Sequence, residues 1–551
     1  MKKALSLVLI VSLLLGVLPA YAEALPADDL TQHRSMTAFL QMDDYQYFAT
    51  KDESPVVRYL MDKFNFSIEF QQPPVGSESE GFNNMLGSGM YTDLMEITYS
   101  SQLPSVLYND GVIIDLAPYL ETYMPNYYAY LHDPAHNDAY KAMYDSDGHC
   151  FTITTEARDD TPNPNWGGMV YRRDILETMT GGNVAFPSGN DEPMTVADWD
   201  YMLELIKTYL DATGMNDTAP LILPYQGYFV TSELVVGFGC SGSWQVKDGQ
   251  VAFGPTTHEF YNYLCKMREW YEKGYIYQDF ASRVNDLFYQ PNMALTYGGA
   301  AGVFFGGYWQ LGDKMSMPEY GLNMEIRPAS APVDTEHGLE TAFPSLTLLA
   351  NSGVTSNTGA WCVSTSCSKE NMIRFMTWAD YLFSEEGGMM KTYGLTGEAA
   401  AADPLYQQLG LEKGTYWFDE NGEYQHDPRT VTNEIDPIGL SGARLPGLNI
   451  KKYSYALTEQ SWLDADKVWC RYGDSGDYPV NAHGTAEEES RLADYYNTYT
   501  DYMNSIIVKF IMGTEELNEE SFAAYVEQMN RFGIGEAIQL KQEIYDRYMS
   551  F

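Results

Sequence analysis

The sequence predicts an α/β protein with more than one lobe, each a sheet flanked by helices. Three observations lead there. Strand-like and helix-like segments alternate from Met36 onward, the pattern of βαβ units. At 551 residues the chain is longer than one hydrophobic core usually organises. The stretch Lys247–Phe280 sets a turn, Asp248-Gly249, between two short β-prone runs. It then repeats apolar Phe260, Leu264, Met267 and Tyr271 at helical spacing until Gly274 stops the helix.

The elements follow in order. Met36–Leu40 reads as a first strand, Ser54–Phe64 as the helix after it, Phe66–Phe70 as a second strand and Asp93–Tyr99 as a third. The run Gly111–Tyr127 comes next, and the alternation predicts a parallel sheet with helices on both faces. Asp147-Gly148 turns the chain into Cys150–Thr155; Gly168–Leu176 comes after a polar, Pro-rich insert, Glu156–Trp166. Thr195 and Asp198 start a helix with a capping-box pattern, and Trp199, Leu203, Ile206 and Leu210 form its buried face. A strand is expected at Pro220–Pro224. A helix is expected at Lys369–Phe383, with Met372, Met376, Ala379 and Phe383 on one face. No internal repeat is evident.

Export is written at the start. Lys2 and Lys3 precede the apolar run Ala4–Val17, and Ala20-Tyr21-Ala22 fits a small-x-small cleavage site, so residues 1–22 are expected to be a signal peptide. No other run approaches the roughly 20 apolar residues a membrane span needs. The expected location is outside the cell, at its surface or in a periplasm. The cleavage site carries no lipidation cysteine, since the first cysteine is Cys150. A formal net charge of −43 excludes nucleic acid as a partner and makes anionic polysaccharides poor ligands. The six cysteines contain no C-x-x-C and are expected to be free or partly paired structural thiols.

The Lys247–Phe280 block resembles the second-lobe hairpin and helix of the family 1 extracellular solute-binding proteins, the capture components of bacterial ABC importers. Gly111–Leu120 is similar to that family's G-x-I-x-D-L-x-P-Y-L, Gly299–Trp309 to its G-K-A-A-M-x-I-x-G-x-W, and Ser384–Glu398 to its s-x-E-G-x-x-x-x-Y-G-x-x-G. Lys509–Tyr548 resembles the helical C-terminal signature of its longer Firmicute members. The resemblance implies a two-lobed, periplasmic-binding-protein-like fold of type II. In it residues 31–155 and 346–398 form the first lobe, residues 165–345 the second, and residues 399–551 a mainly helical region packing on both. It also implies a monomer that uses no cofactor, clamps a small-molecule solute between its lobes and delivers it to an ABC permease in the membrane.

A neutral sugar offers hydroxyls and apolar C–H faces, so its binder needs aromatic platforms with carboxylates and amides beside them. In open α/β sheets such groups gather on loops at the carboxyl ends of strands. Candidates arise where strand ends and family phrases coincide. Trp309 and Tyr308 end the Gly299–Trp309 run, and the resemblance implies that the tryptophan stacks on the ligand. Tyr225 and Tyr228 follow the Pro220–Pro224 strand. Glu156 follows the first crossing strand, and Trp166 lies in the same insert, with Arg158. Asp43 and Asp44 follow the first strand; Tyr99 and Ser100 end the third. Trp199, Trp270 and Trp378 sit on buried helix faces and are expected in the core.

Longer relatives carry an acidic calcium loop where this chain reads Asp211–Pro220 without its closing Asp-Glu pair, so no metal is expected. Asp145-x-Asp147-Gly148 and Asp419-x-Asn421-Gly422 read as hairpin turns. The expected function is capture of a neutral oligosaccharide without catalysis. Two other readings stay open: a secreted glycoside hydrolase or lyase, and a binder of peptides or polyamines. G-x-S-x-G, H-E-x-x-H and P-loop motifs are absent.

Overall fold

The computed structural model describes residues 27–550 except 41–45, 75–76, 99, 101, 146, 158–164, 232, 283–292, 346–354, 432–433, 442–444, 451, 454–458 and 480–481. The expected signal peptide, Asp43, Asp44, Tyr99 and Arg158 lie outside the described residues. Two compact units emerge: Met1–Arg158 with Val354–Ile450, and Asp159–Gly353 with Lys451–Phe551. The chain therefore passes between units three times. The stretch 399–551, taken as one region from the sequence, divides at 450/451.

The first unit holds a six-stranded sheet in the order Gly447–Asn449, Ile153–Ala157, Thr355–Val363, Leu94–Glu96, Arg34–Phe39, Phe66–Gln71. Arg34–Phe39 runs parallel to both neighbours, as the βαβ pattern requires. The sheet as a whole is mixed, not parallel: Thr355–Val363 enters antiparallel to Leu94–Glu96 and to Ile153–Ala157. That strand returns from the other unit rather than through a crossover helix, so nothing obliges it to run parallel. The helix Pro55–Phe64 takes proline in its first turn and reverses at Asn65, whose φ of 49° lets the chain turn directly into Phe66. Trp378, on the helix Lys369–Tyr381, stacks on Phe66 at 5.7 Å and meets Trp361 edge-on at 6.1 Å.

One turn before Trp378, Arg374 is fully buried. Its Nε and Nη2 donate to the Asp28 carboxylate at 2.6 and 3.0 Å. Nη1 donates to the carbonyls of Phe64 and Asn65, and Nη2 to those of Asp29 and Gln32. One guanidinium thus ties the entering chain, the end of the helix Pro55–Phe64 and its own helix together.

The second unit holds a four-stranded sheet in the order Ile326–Pro328, Gly167–Arg172, Ala301–Gly307, Ala219–Ile222. The helix Val196–Thr213 starts with the capping box of Thr195 and Asp198, and its Trp199 stacks on Trp270 at 6.0 Å in the core. Asp248 and Gly249, both at positive φ, close the hairpin Trp244–Lys247/Gln250–Phe253. The helix His258–Glu272 buries Phe260, Leu264 and Met267 as expected. Tyr271 stays half-exposed, and Trp270 takes its place on the buried face. The helices Ala486–Met512, Glu519–Arg531 and Ile534–Ser550 complete this unit; their Phe510, Ile511, Phe522 and Tyr525 share one core with Trp199. All six cysteines are free thiols.

Glu233 is buried in this unit. Thr231 Oγ1 donates to its Oε2, while Oε1 has no hydrogen-bond partner among the described residues. Burial pushes its carboxyl up to about 8. A carboxyl raised in this way is protonated in the folded state and ionised in the unfolded state over the window from about 4.5 to 8. Its contribution is therefore most favourable below the unfolded value and is lost as pH rises through that window. Glu233→Gln is expected to raise the melting temperature, with a gain that grows between pH 5 and pH 8, by up to about 1.4 kcal/mol per pH unit. Melting curves across that range check this; a gain independent of pH would show the carboxyl to be ionised in the folded protein.

Candidate functional site: an aromatic row at one end of the second-unit sheet

Strand register brings the site together. Gly167 pairs with Gly307 across an antiparallel ladder, so the residue before Gly167 and those after Gly307 share one end of the sheet. These are Trp166, Tyr308 and Trp309. Ala219–Ile222 runs parallel to Ala301–Gly307, so its carboxyl end, followed by Tyr225, points the same way. The backbone N–H of Tyr308 donates to Trp166 O at 2.9 Å and closes that edge.

The turn Tyr308–Gln310 is held from below. Buried Gln310 accepts from Gly307 N at 2.9 Å, which leaves Trp309 facing outward, 37% exposed. The Trp309 indole folds back over Gly307, where a Cβ would lie 2.4 Å from the ring, so only glycine admits this pose. Trp166 lies parallel to it, with centroids 5.7 Å apart and planes within 5°, and is itself braced edge-on by Phe305. Tyr308 stands nearly perpendicular to Trp309.

Trp462 is the residue that sequence reasoning missed. It belongs to the helix Gln460–Trp469, after the last passage between units. It stacks on Tyr308 at 3.8 Å and 6°, and its Nε1 donates to Asn165 O at 2.5 Å. Asp466, one turn on, accepts from Asn165 N at 2.7 Å, and Trp469 Nε1 donates to Met169 O at 2.9 Å. Gly168 makes room for the Trp469 ring, which would sit 2.4 Å from a Cβ there. The signal in the sequence was the W-x6-W spacing of Trp462 and Trp469, two turns apart on one helix face.

The other candidates fall out differently. Tyr225 is half-buried, edge-on to Phe229 at 5.2 Å, and burial raises its phenol above the ordinary value. Tyr228 is a correction: it is fully buried, its hydroxyl accepts from Leu223 N at 3.0 Å, and its ring packs on Phe280. A short 3-10 turn, Tyr225–Tyr228, sends the second tyrosine inward instead of out beside the first. Glu156 pairs through its backbone with Thr355 and Leu448; its side chain lies outside the described residues. Ser100 Oγ closes a local turn, donating to Gln102 O and accepting from Gln102 N.

Two acidic loops carry oxygen groups of the kind a cation takes. Asp211 pairs with Lys207 at 2.7 Å and Asp217 accepts from Tyr277 at 3.2 Å, so both carboxylates already serve protein donors. Asp145, Asp147 and His149 cluster within reach of one another, yet the Asp145 carboxylate is spent on the turn: it accepts from Asp147 N and His149 N and faces His149 Nδ1 at 3.0 Å.

Comparison with solved structures defines the fold. The alginate-binding protein AlgQ2, solved without calcium ion, superposes with a TM-score of 0.67 at 16% identity, covering 94% of this chain and 99% of that one. The chain has the fold of the ABC-transporter solute-binding proteins. The S. pneumoniae substrate-binding protein FusA in complex with kestose gives the same TM-score, identity and coverage. An extracellular solute-binding protein from Bifidobacterium longum subsp. infantis gives 0.67 at 17% identity over 95% of this chain and all of that one. No protein-family model and no curated protein matches the chain. In this solute-binding fold Tyr308, Trp309 and Tyr225 follow the carboxyl ends of strands, where open α/β sheets bind ligands, and Trp166 joins them from the start of the antiparallel strand Gly167–Arg172. Among the described residues no helix is long and apolar enough to cross a membrane.

Proposed function

We propose that this protein is the exported solute-binding component of an ABC importer and that it captures a neutral oligosaccharide. The observation that carries the reading is the aromatic row: Trp309 exposed and parallel to Trp166, with Tyr308 and Trp462 stacked beside it. Flat rings at fixed angles give the apolar C–H faces of successive sugar units a surface to lie on, and Tyr225 adds a phenol at the same end of the sheet. Its structural neighbours include an alginate-binding protein and a substrate-binding protein in complex with kestose, which supports the carbohydrate class. The net charge of −43 favours the neutral member of that class over a polyuronate. Delivery to a membrane permease, as a monomer and without catalysis, belongs to the same proposal.

A thermal-shift screen of the chain from Glu23 onward tests it, with neutral oligosaccharides, uronates, peptides and polyamines in separate wells. A ligand at 100 times its dissociation constant adds roughly 2.7 kcal/mol of stability, a clear rise in melting midpoint. Neutral oligosaccharides are expected to give that rise. A rise confined to peptides or polyamines would overturn the sugar assignment.

A further inference from the structure

Away from the aromatic row, the second unit contains a cavity of about 240 Å³ where the hairpin strand Trp244–Lys247 meets the helices Ala486–Met512 and Ile534–Ser550. Trp244, Glu489, Leu492, Tyr496, Tyr499 and Lys541 are among its walls. We propose that this cavity is a second carbohydrate site, one that takes a single neutral pyranose ring. A volume of that size, open on one side, has room for several waters or for one sugar ring.

Three features point to that occupant. Lys541 Nζ lies 4.4 Å from the Tyr478 ring centroid and 6.0 Å from that of Trp244, and no hydrogen-bond acceptor for it is found among the described residues. Burial lowers its pKa below the ordinary lysine value. This partly desolvated ammonium carries three N–H donors at the pocket, and hydroxyl oxygens of a bound molecule would take the place of water on them. Glu489 supplies the opposite capacity: its Oε1 accepts from Gly484 N at 2.6 Å, and the rest of the carboxylate remains to accept from sugar O–H groups. The platform is aromatic. Tyr496 is 55% exposed and stands edge-on to Tyr499 at 5.8 Å, and both line the cavity together with Trp244. A free anion is the poorer occupant, because Glu489 and the acidic chain repel it.

This proposal stands apart from the aromatic row and survives or fails on its own. Saturation-transfer NMR on the full chain, with glucose, galactose and N-acetylglucosamine as probes, tests it. Transfer is expected in the native protein and in Trp309→Ala. Affinity is expected to fall about tenfold in Trp244→Ala and in Lys541→Met, on the scale of a lost aromatic platform or charged hydrogen bond. Lys541→Met keeps an aliphatic stem over the two rings, so it decides the matter if Trp244→Ala fails to fold. Absence of transfer with every probe would overturn the second site, as would transfer lost in Trp309→Ala and unchanged in the folded cavity variants.

Discussion

Arg374→Ala is expected to destabilise the protein by about 3–5 kcal/mol, the cost of breaking a buried ion pair from one side. The substitution leaves the Asp28 carboxylate, only 8% exposed, without its guanidinium. It also strips donors from the carbonyls of Phe64, Asn65, Asp29 and Gln32. Arg374→Lys should recover little, because an ammonium cannot span a carboxylate and four carbonyls that a planar fork reaches together. Denaturant unfolding of the three proteins checks this. A loss below about 1 kcal/mol, the range of exposed pairs, would mean that water reaches the cluster.

The second large effect concerns binding. Trp309→Ala is expected to weaken oligosaccharide binding by about 1–3 kcal/mol, roughly 5- to 150-fold in Kd, while leaving the fold intact. Trp462→Ala should weaken it as well, by releasing the Tyr308 ring that it holds at 3.8 Å. Gly307→Ala gives an independent handle. It keeps every aromatic ring but drives a methyl into the space of the Trp309 indole, so affinity should fall as the ring is displaced. Calorimetry on the three variants checks these outcomes. Unchanged affinity in Trp309→Ala would remove the aromatic row from the binding site.

The sequence carried most of the second unit because its signals were local. The Thr195/Asp198 box, the Asp248-Gly249 turn and the spacing of Phe260, Leu264 and Met267 each act within a few residues, and each appears in the fold. Trp309 was legible because its strand and turn are contiguous. What escaped depends on distant chain. Trp462 reaches Tyr308 across more than a hundred and fifty residues of sequence, a pairing that no local period encodes. The antiparallel entry of Thr355–Val363 depends on a return from the other unit, which alternation of helix and strand does not register. The helix Ala486–Met512 begins well before Lys509, where the sequence reading started, and its acidic first turns give no local sign that Tyr499 and Met503 join the core. Tyr228 was misplaced because two tyrosines three residues apart look alike until a 3-10 turn sends one outward and one in.

The most direct measurement is a calorimetric titration of the chain from Glu23 onward with the best neutral oligosaccharide from the screen, followed by chromatography of the ligand recovered from the cell. Saturable binding with the sugar recovered intact is the predicted result and makes the protein a capture component. Recovery of shortened or eliminated sugar products would contradict it and make the same rings the substrate platform of a carbohydrate-active enzyme.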